Sequence, residues 1–166
     1  PKVELLHAER ASASLDRENR TFEVCFYSGA AIQRIDPFTG EPFGLLFDPD
    51  GCDLSRLASG AAPLLDSHEQ TPIAKQIGVV LTAWREGPRF YAKVKLSDRP
   101  DVEGLWRDIA AGVVRNISMG VEVSEFRDEE KAGRLVRRTV TKWQPIELSV
   151  VSTPADAGAI VLSHQN

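Results

Sequence analysis

Residues 77–96 read IGVVLTAWREGPRFYAKVKL, and the pattern of this stretch sets the fold class. Phe90, Ala92, Val94 and Leu96 alternate with Arg89, Tyr91, Lys93 and Lys95. A period of two places the first set on a core face and the second in water. The Arg85-Glu86-Gly87-Pro88 segment between this run and Ile77–Trp84 supplies a turn, so the spacing predicts an antiparallel hairpin. Downstream, Val102, Leu105, Trp106, Ile109 and Val113 recur at helical spacing, with Asp101 and Glu103 in the first turn, which predicts a helix from about Pro100 to Gly112. Three strands are then expected, at 116–126, 134–143 and 146–151, the first two joined by the charged loop RDEEKAG. Upstream, Phe22, Val24 and Phe26 mark a strand over 21–27. The Pro, Gly and Asp content of 36–51 predicts a loop, and Asp53 is placed to cap a short helix over 54–58 that ends at Gly60. The piece 155–162 is short and ambiguous. Many strands with few helices point to a mainly β domain, a closed or nearly closed β-barrel with peripheral helices, because closure removes exposed sheet edges. A two-sheet sandwich satisfies the same alternation.

The chain of 166 residues suits one domain, 1–166, with 42% hydrophobic and 27% charged residues and a net charge of −4. That charge balance gives no basic face for nucleic acid, and Arg134, Arg137 and Arg138 read as a solvated strand face. Cys25 and Cys52 are expected to be reduced. His7, His68 and His164 are scattered, and no CxxC or HxxxH spacing occurs, so neither a metal nor another cofactor is expected. No apolar run reaches the roughly 20 residues of a membrane span and no signal pattern opens the chain, which points to a cytoplasm. The chain begins at Pro1 rather than Met, as a trimmed or processed protein does.

Three blocks carry candidate chemistry. In Ile117-Ser118-Met119-Gly120-Val121-Glu122-Val123, alternation sends Ile117, Met119, Val121 and Val123 one way and Ser118, Gly120 and Glu122 the other. Ser118 therefore faces away from the apolar side, with the surface beside it left open by Gly120. This fits either a nucleophile or an ordinary outward polar residue beside a bulge. In Leu64-Leu65-Asp66-Ser67-His68-Glu69, an apolar run delivers a histidine into polar surroundings. Imidazole is the usual base for an unactivated hydroxyl because it titrates near neutral pH. His7 and His164 lie near the termini, where fixed geometry is harder to hold. In Trp143-Gln144-Pro145-Ile146-Glu147-Leu148-Ser149-Val150-Val151, Ile146, Leu148 and Val150 share a face and Glu147 takes the other. A carboxylate inside an apolar strand requires a partner, either an imidazolium or an arginine such as Arg115 or Arg138.

Taken in order, LLDSHE, NISMGVEV and IELSVVSTPADAGA resemble the prohead protease family of tailed phages, related in fold to the herpesvirus assemblins. The resemblance covers Leu64 to Ala159. It implies an assemblin-like barrel in which Ser118 is the nucleophile, His68 the base that later protonates the leaving amine, and Glu147 the group that orients His68. Assemblins use a second histidine in that third role, so Asp66, Glu69 and Asp156 compete with Glu147 for it. The loop containing Val114 and Arg115, just before the serine strand, is a candidate source of oxyanion donors. The resemblance further implies a homodimer or higher homo-oligomer. Its substrates would be scaffold and capsid proteins, and the protease itself, cut inside the assembling prohead in the host bacterial cytoplasm. Two rivals stand beside this reading. One is a capsid-assembly or scaffold-binding module on the same fold without catalysis; the other is an esterase or amidase, which the lack of a GxSxG elbow disfavours.

Overall fold

The computed structural model describes residues 15–162, and His7 and His164 lie outside them. Nine strands form one sheet: β1 (Thr21–Tyr27), β2 (Ile32–Ile35), β3 (Pro42–Phe47), β4 (Pro63–Asp66), β5 (Gln76–Glu86), β6 (Arg89–Leu96), β7 (Asn116–Lys131), β8 (Arg134–Val151) and β9 (Ile160–Val161). Two helices accompany them, α1 (Ser55–Ala58) and α2 (Glu103–Ala110). The strand order is β2-β3-β8-β4-β5-β6-β1-β9-β7, and β7 also pairs with β8. That last pairing closes seven strands into a barrel, the mainly β architecture expected from the alternation. The hairpin at 76–96 forms as predicted, with Val80 opposite Val94 and Glu86 opposite Arg89.

The core lies inside the barrel. Tyr27, Phe47, Phe90 and Trp143 pack edge to face or tilted, with centroid separations of 4.9 to 6.3 Å. Their polar atoms are satisfied: the Phe47 N–H donates to Tyr27 Oη at 3.0 Å, and Trp143 Nε1 donates to the Asp48 carbonyl at 2.8 Å.

Several local expectations are corrected. Residues 42–47 form a strand, not part of a loop, because β3 pairs antiparallel with β2 and parallel with β8, from Gly44 opposite Arg137 to Phe47 opposite Val140. The turn signals that predicted a loop act only at its ends. The run RDEEKAG is mostly strand as well. Asp128 lies opposite Arg138 and Glu129 opposite Arg137, so opposite charges face each other across the ladder, and the turn shrinks to Ala132 and Gly133, both at positive φ. The two strands expected at 134–143 and 146–151 are one. Pro145 is accommodated because β8 bulges beside it: Gly120 pairs with Glu147 and Val121 with Pro145, leaving Ile146 without an opposite residue. Tyr91, expected in water, is buried against Cys25 and stacks on Trp84. Val113 is exposed, because α2 ends at Ala110 and the chain turns at Gly112.

Candidate active site

The site is assembled where β8 is flanked by β7 on one side and β4 on the other. Ser118 lies directly opposite Ser149 and Gly120 opposite Glu147, so these four residues project from one face of the sheet. Their neighbours Ile117, Leu148 and Val150 project from the other face into the core. The bulge at Ile146 makes this compatible with a buried Trp143. In unbroken alternation Trp143 and Glu147 would share a face; with Ile146 bulged out of the pairing, Trp143 enters the core and Glu147 stays outside with the serines. Ile146 itself is therefore not part of the core face that alternation assigned to it.

His68 arrives from β4, which runs parallel to β8 with Leu65 opposite Ser149 and Asp66 opposite Val150. Beyond Asp66 the chain bends sharply. Ser67 and His68 both have left-handed backbones, φ 53° and 64°, held by a bond from the Ser67 N–H to the Val150 carbonyl at 3.0 Å. The bend lays the histidine over β8. Its Nδ1 contacts Glu147 Oε1, and its Nε2 lies 3.0 Å from Ser118 Oγ. The Glu147 side chain is 5% exposed and that of His68 42%, so the carboxylate is enclosed while the imidazole stays open to solvent.

The three residues singled out from separate blocks of sequence thus stand in one line, acid to imidazole to hydroxyl. The competing acids are engaged by other partners. Asp66 and Glu69 pair with Lys75, and Asp156 accepts bonds from the Ser28 N–H and hydroxyl and from the Gly158 N–H. Neither arginine proposed as a partner for Glu147 reaches it by hydrogen bond or ion pair: Arg138 is held by Asp128, and Glu147 bonds to His68 and Ser149. In the loop before β7, the Val114 N–H bonds to the Asp108 carbonyl, so it is not available as an oxyanion donor.

Two contributors escaped sequence reasoning. Gly120 seemed to leave room for a base or a substrate carbonyl, but a Cβ there would lie 2.3 Å from Glu147 Oε1, so its missing side chain makes room for the carboxylate. Ser149, fully buried, bonds to both Glu147 and the His68 backbone. Its position two residues beyond Glu147, on the same strand face, was the available signal.

A cavity of about 460 Å³ is lined by Ser118 and His68 together with Arg34, Met119, Val121, Pro154 and Asp156. Burial pushes the Cys25 thiol up to about 11 and the Cys52 thiol up to about 12, so both are protonated at neutral pH and poor nucleophiles. Among the described residues, no group of three or more His, Cys, Asp or Glu side chains is arranged to hold a metal ion. The arrangement that is present suits proton transfer from a serine hydroxyl to an imidazole.

Comparison with known proteins gives the same family by another route. No solved structure matches the chain. A protein named major capsid protein, from Halomonas phage phiHAP-1, is 42% identical over 105 residues, which are 63% of this chain and 17% of that protein. The chain thus spans under a fifth of the length of this relative. The family model described as caudovirus prohead serine protease matches residues 55–166, a stretch that contains His68, Ser118 and Glu147, and the chain belongs to that family.

Proposed function

We propose that the protein is a serine endopeptidase of phage head maturation that cuts scaffold and capsid-assembly proteins, and its own chain, inside the assembling prohead in the host cytoplasm. The observation that carries this reading is the His68 ring, which bridges the enclosed Glu147 carboxylate and the Ser118 hydroxyl.

With Nδ1–H donating to Glu147, the lone pair on Nε2 is free to take the Ser118 proton. Oγ then attacks the scissile carbonyl carbon, and the imidazolium formed lies against a carboxylate. The same proton passes to the leaving amine, which departs as the C–N bond breaks and leaves an acyl group on Ser118. A water molecule, deprotonated by His68, releases that acyl group in the second half of the cycle. Glu147 keeps one tautomer in place throughout and balances the charge on the ring. Substrates joined to the shell are supported by the phage relative, in which the region similar to this chain is a minor part of a protein named for the capsid. A homodimer is part of the proposal as the family's expected active form.

The name of that same relative favours a second reading, a capsid-assembly module on this fold without catalysis. Co-expression of the chain with its scaffold and capsid proteins, comparing wild type with Ser118→Ala by intact mass, separates the two. Processing by wild type that disappears in the variant is expected. Identical uncut products from both, with wild type bound to scaffold, would overturn the protease reading in favour of the assembly module.

A further inference from the structure

Among the described residues, Ser149 is the one fully buried polar side chain that joins two parts of the site. Its exposure is 0%, and it lies directly across the ladder from Ser118. Its Oγ accepts the His68 backbone N–H at 2.9 Å and lies 2.8 Å from Glu147 Oε2, to which it donates its proton. The direction of that donation is forced, because a carboxylate can only accept and a backbone N–H can only donate. The contacts close a ring: His68 Nδ1 to Glu147 Oε1, Glu147 Oε2 to Ser149 Oγ, and Ser149 Oγ back to the His68 N–H.

We infer that Ser149 is a positioning residue of the catalytic centre, one that sets the geometry of the imidazole without touching the reacting atoms. Two degrees of freedom need fixing. The first is the backbone at His68, held at φ 64°, a region that a residue with a Cβ rarely adopts unless its surroundings hold it there. The bond from its N–H to Ser149 is one such restraint. The second is the torsion of the Glu147 carboxylate. With Oε2 tied to Ser149, Oε1 is presented to Nδ1, and Gly120 leaves that position open. One hydroxyl thus restrains the main chain of the base and the rotamer of the acid together. This inference rests on the protease reading for its kinetic consequence, but the geometry it describes is independent of turnover.

The test uses the full chain and three substitutions. Ser149→Ala removes the hydroxyl, Ser149→Thr keeps it, and Ser149→Val matches the shape of threonine without it. For cleavage of co-purified scaffold protein, kcat is expected to fall about 10- to 100-fold in the alanine and valine variants, with KM unchanged and activity recovered in the threonine variant, since small displacements of a catalytic group act at this scale. In parallel, the Nδ1–H proton resonance of His68 is followed by NMR; it should weaken or vanish with alanine and valine and persist with threonine. A merely structural serine would lower thermal stability without separating threonine from valine in kcat. An unchanged Nδ1–H signal in Ser149→Ala overturns the positioning role whether or not the chain cleaves anything. A normal signal in wild type that is lost in Ser149→Ala, with no cleavage by either, would uphold the positioning role and overturn the protease reading.

Discussion

Strand β8 is 18 residues long and leads two different lives. Its C-terminal half, from Pro145 to Val151, lies in the barrel wall between β4 and the start of β7. Within it Glu147, Leu148, Ser149 and Val150 are all buried. Its N-terminal half, from Arg134 to Lys142, lies between β3 and the far end of β7, outside the closed ring, and its partners on β7 from Glu125 to Lys131 are exposed. In the barrel half, polar side chains are few and are held by each other. In the outer half they are many and are sorted by charge: Asp128 with Arg138, Glu129 with Arg137, Glu125 with Lys142. Arg138 also lies over the Phe126 ring, 4.1 Å from its centroid. The difference teaches that closure, and not strand formation, makes the site. Both halves are well-paired β-structure, but only the half flanked on both sides within the ring encloses a carboxylate tightly enough to aim it.

Substitutions along the two halves sharpen or break this contrast. Trp143→Ala empties the centre of the aromatic cluster and should lower stability by about 3–5 kcal/mol in urea titrations, comparable to other buried aromatic truncations. Gly120→Ala pushes a methyl group into the space of Glu147 Oε1; a loss of about 1–3 kcal/mol is expected. Scaffold processing by that variant should fall far more than its unfolding midpoint does; equal losses would mean that Gly120 serves packing alone.

The outer half should respond weakly. The Arg138 guanidinium, hydrogen-bonded to Asp128, holds its carboxyl below the ordinary value of 3.8. A carboxylate whose folded value is lowered adds stability that is full above the unfolded value and is lost as pH falls through the folded one. Asp128→Asn should therefore cost less than about 1 kcal/mol at neutral pH, and the gap from wild type should close in acid, as read from urea midpoints at the two pH values. A loss as large as that of Trp143→Ala would show that the outer half is not the minor partner described here.

Much of this was legible because it is written in local periods. The hairpin at 76–96 follows from strict alternation and one turn, and α2 from helical spacing, which placed its start three residues early and its end two residues late. His68, Ser118 and Glu147 stood out as polar groups delivered by apolar strands, before any distance between them was known. What was not legible depends on partners remote in sequence. β3 was hidden in Pro- and Gly-rich sequence because its strand character comes from pairing with β8, over 90 residues away. Tyr91 looked solvent-facing until Cys25, Trp84 and Leu162 covered it.

The amino-acid sequence by itself determined that the chain would be a small, mainly β domain and which face each candidate side chain would take along its own strand, since both depend on a two-residue period and on turn chemistry. Only the tertiary structure decided that β8 would run unbroken past Pro145, that one bulged residue would turn Trp143 inward while Glu147 remained outside, and that a left-handed histidine would be locked to a buried serine. These features rest on register between strands and on hydrogen bonds that link residues about 80 positions apart, and neither leaves a periodic trace in the chain.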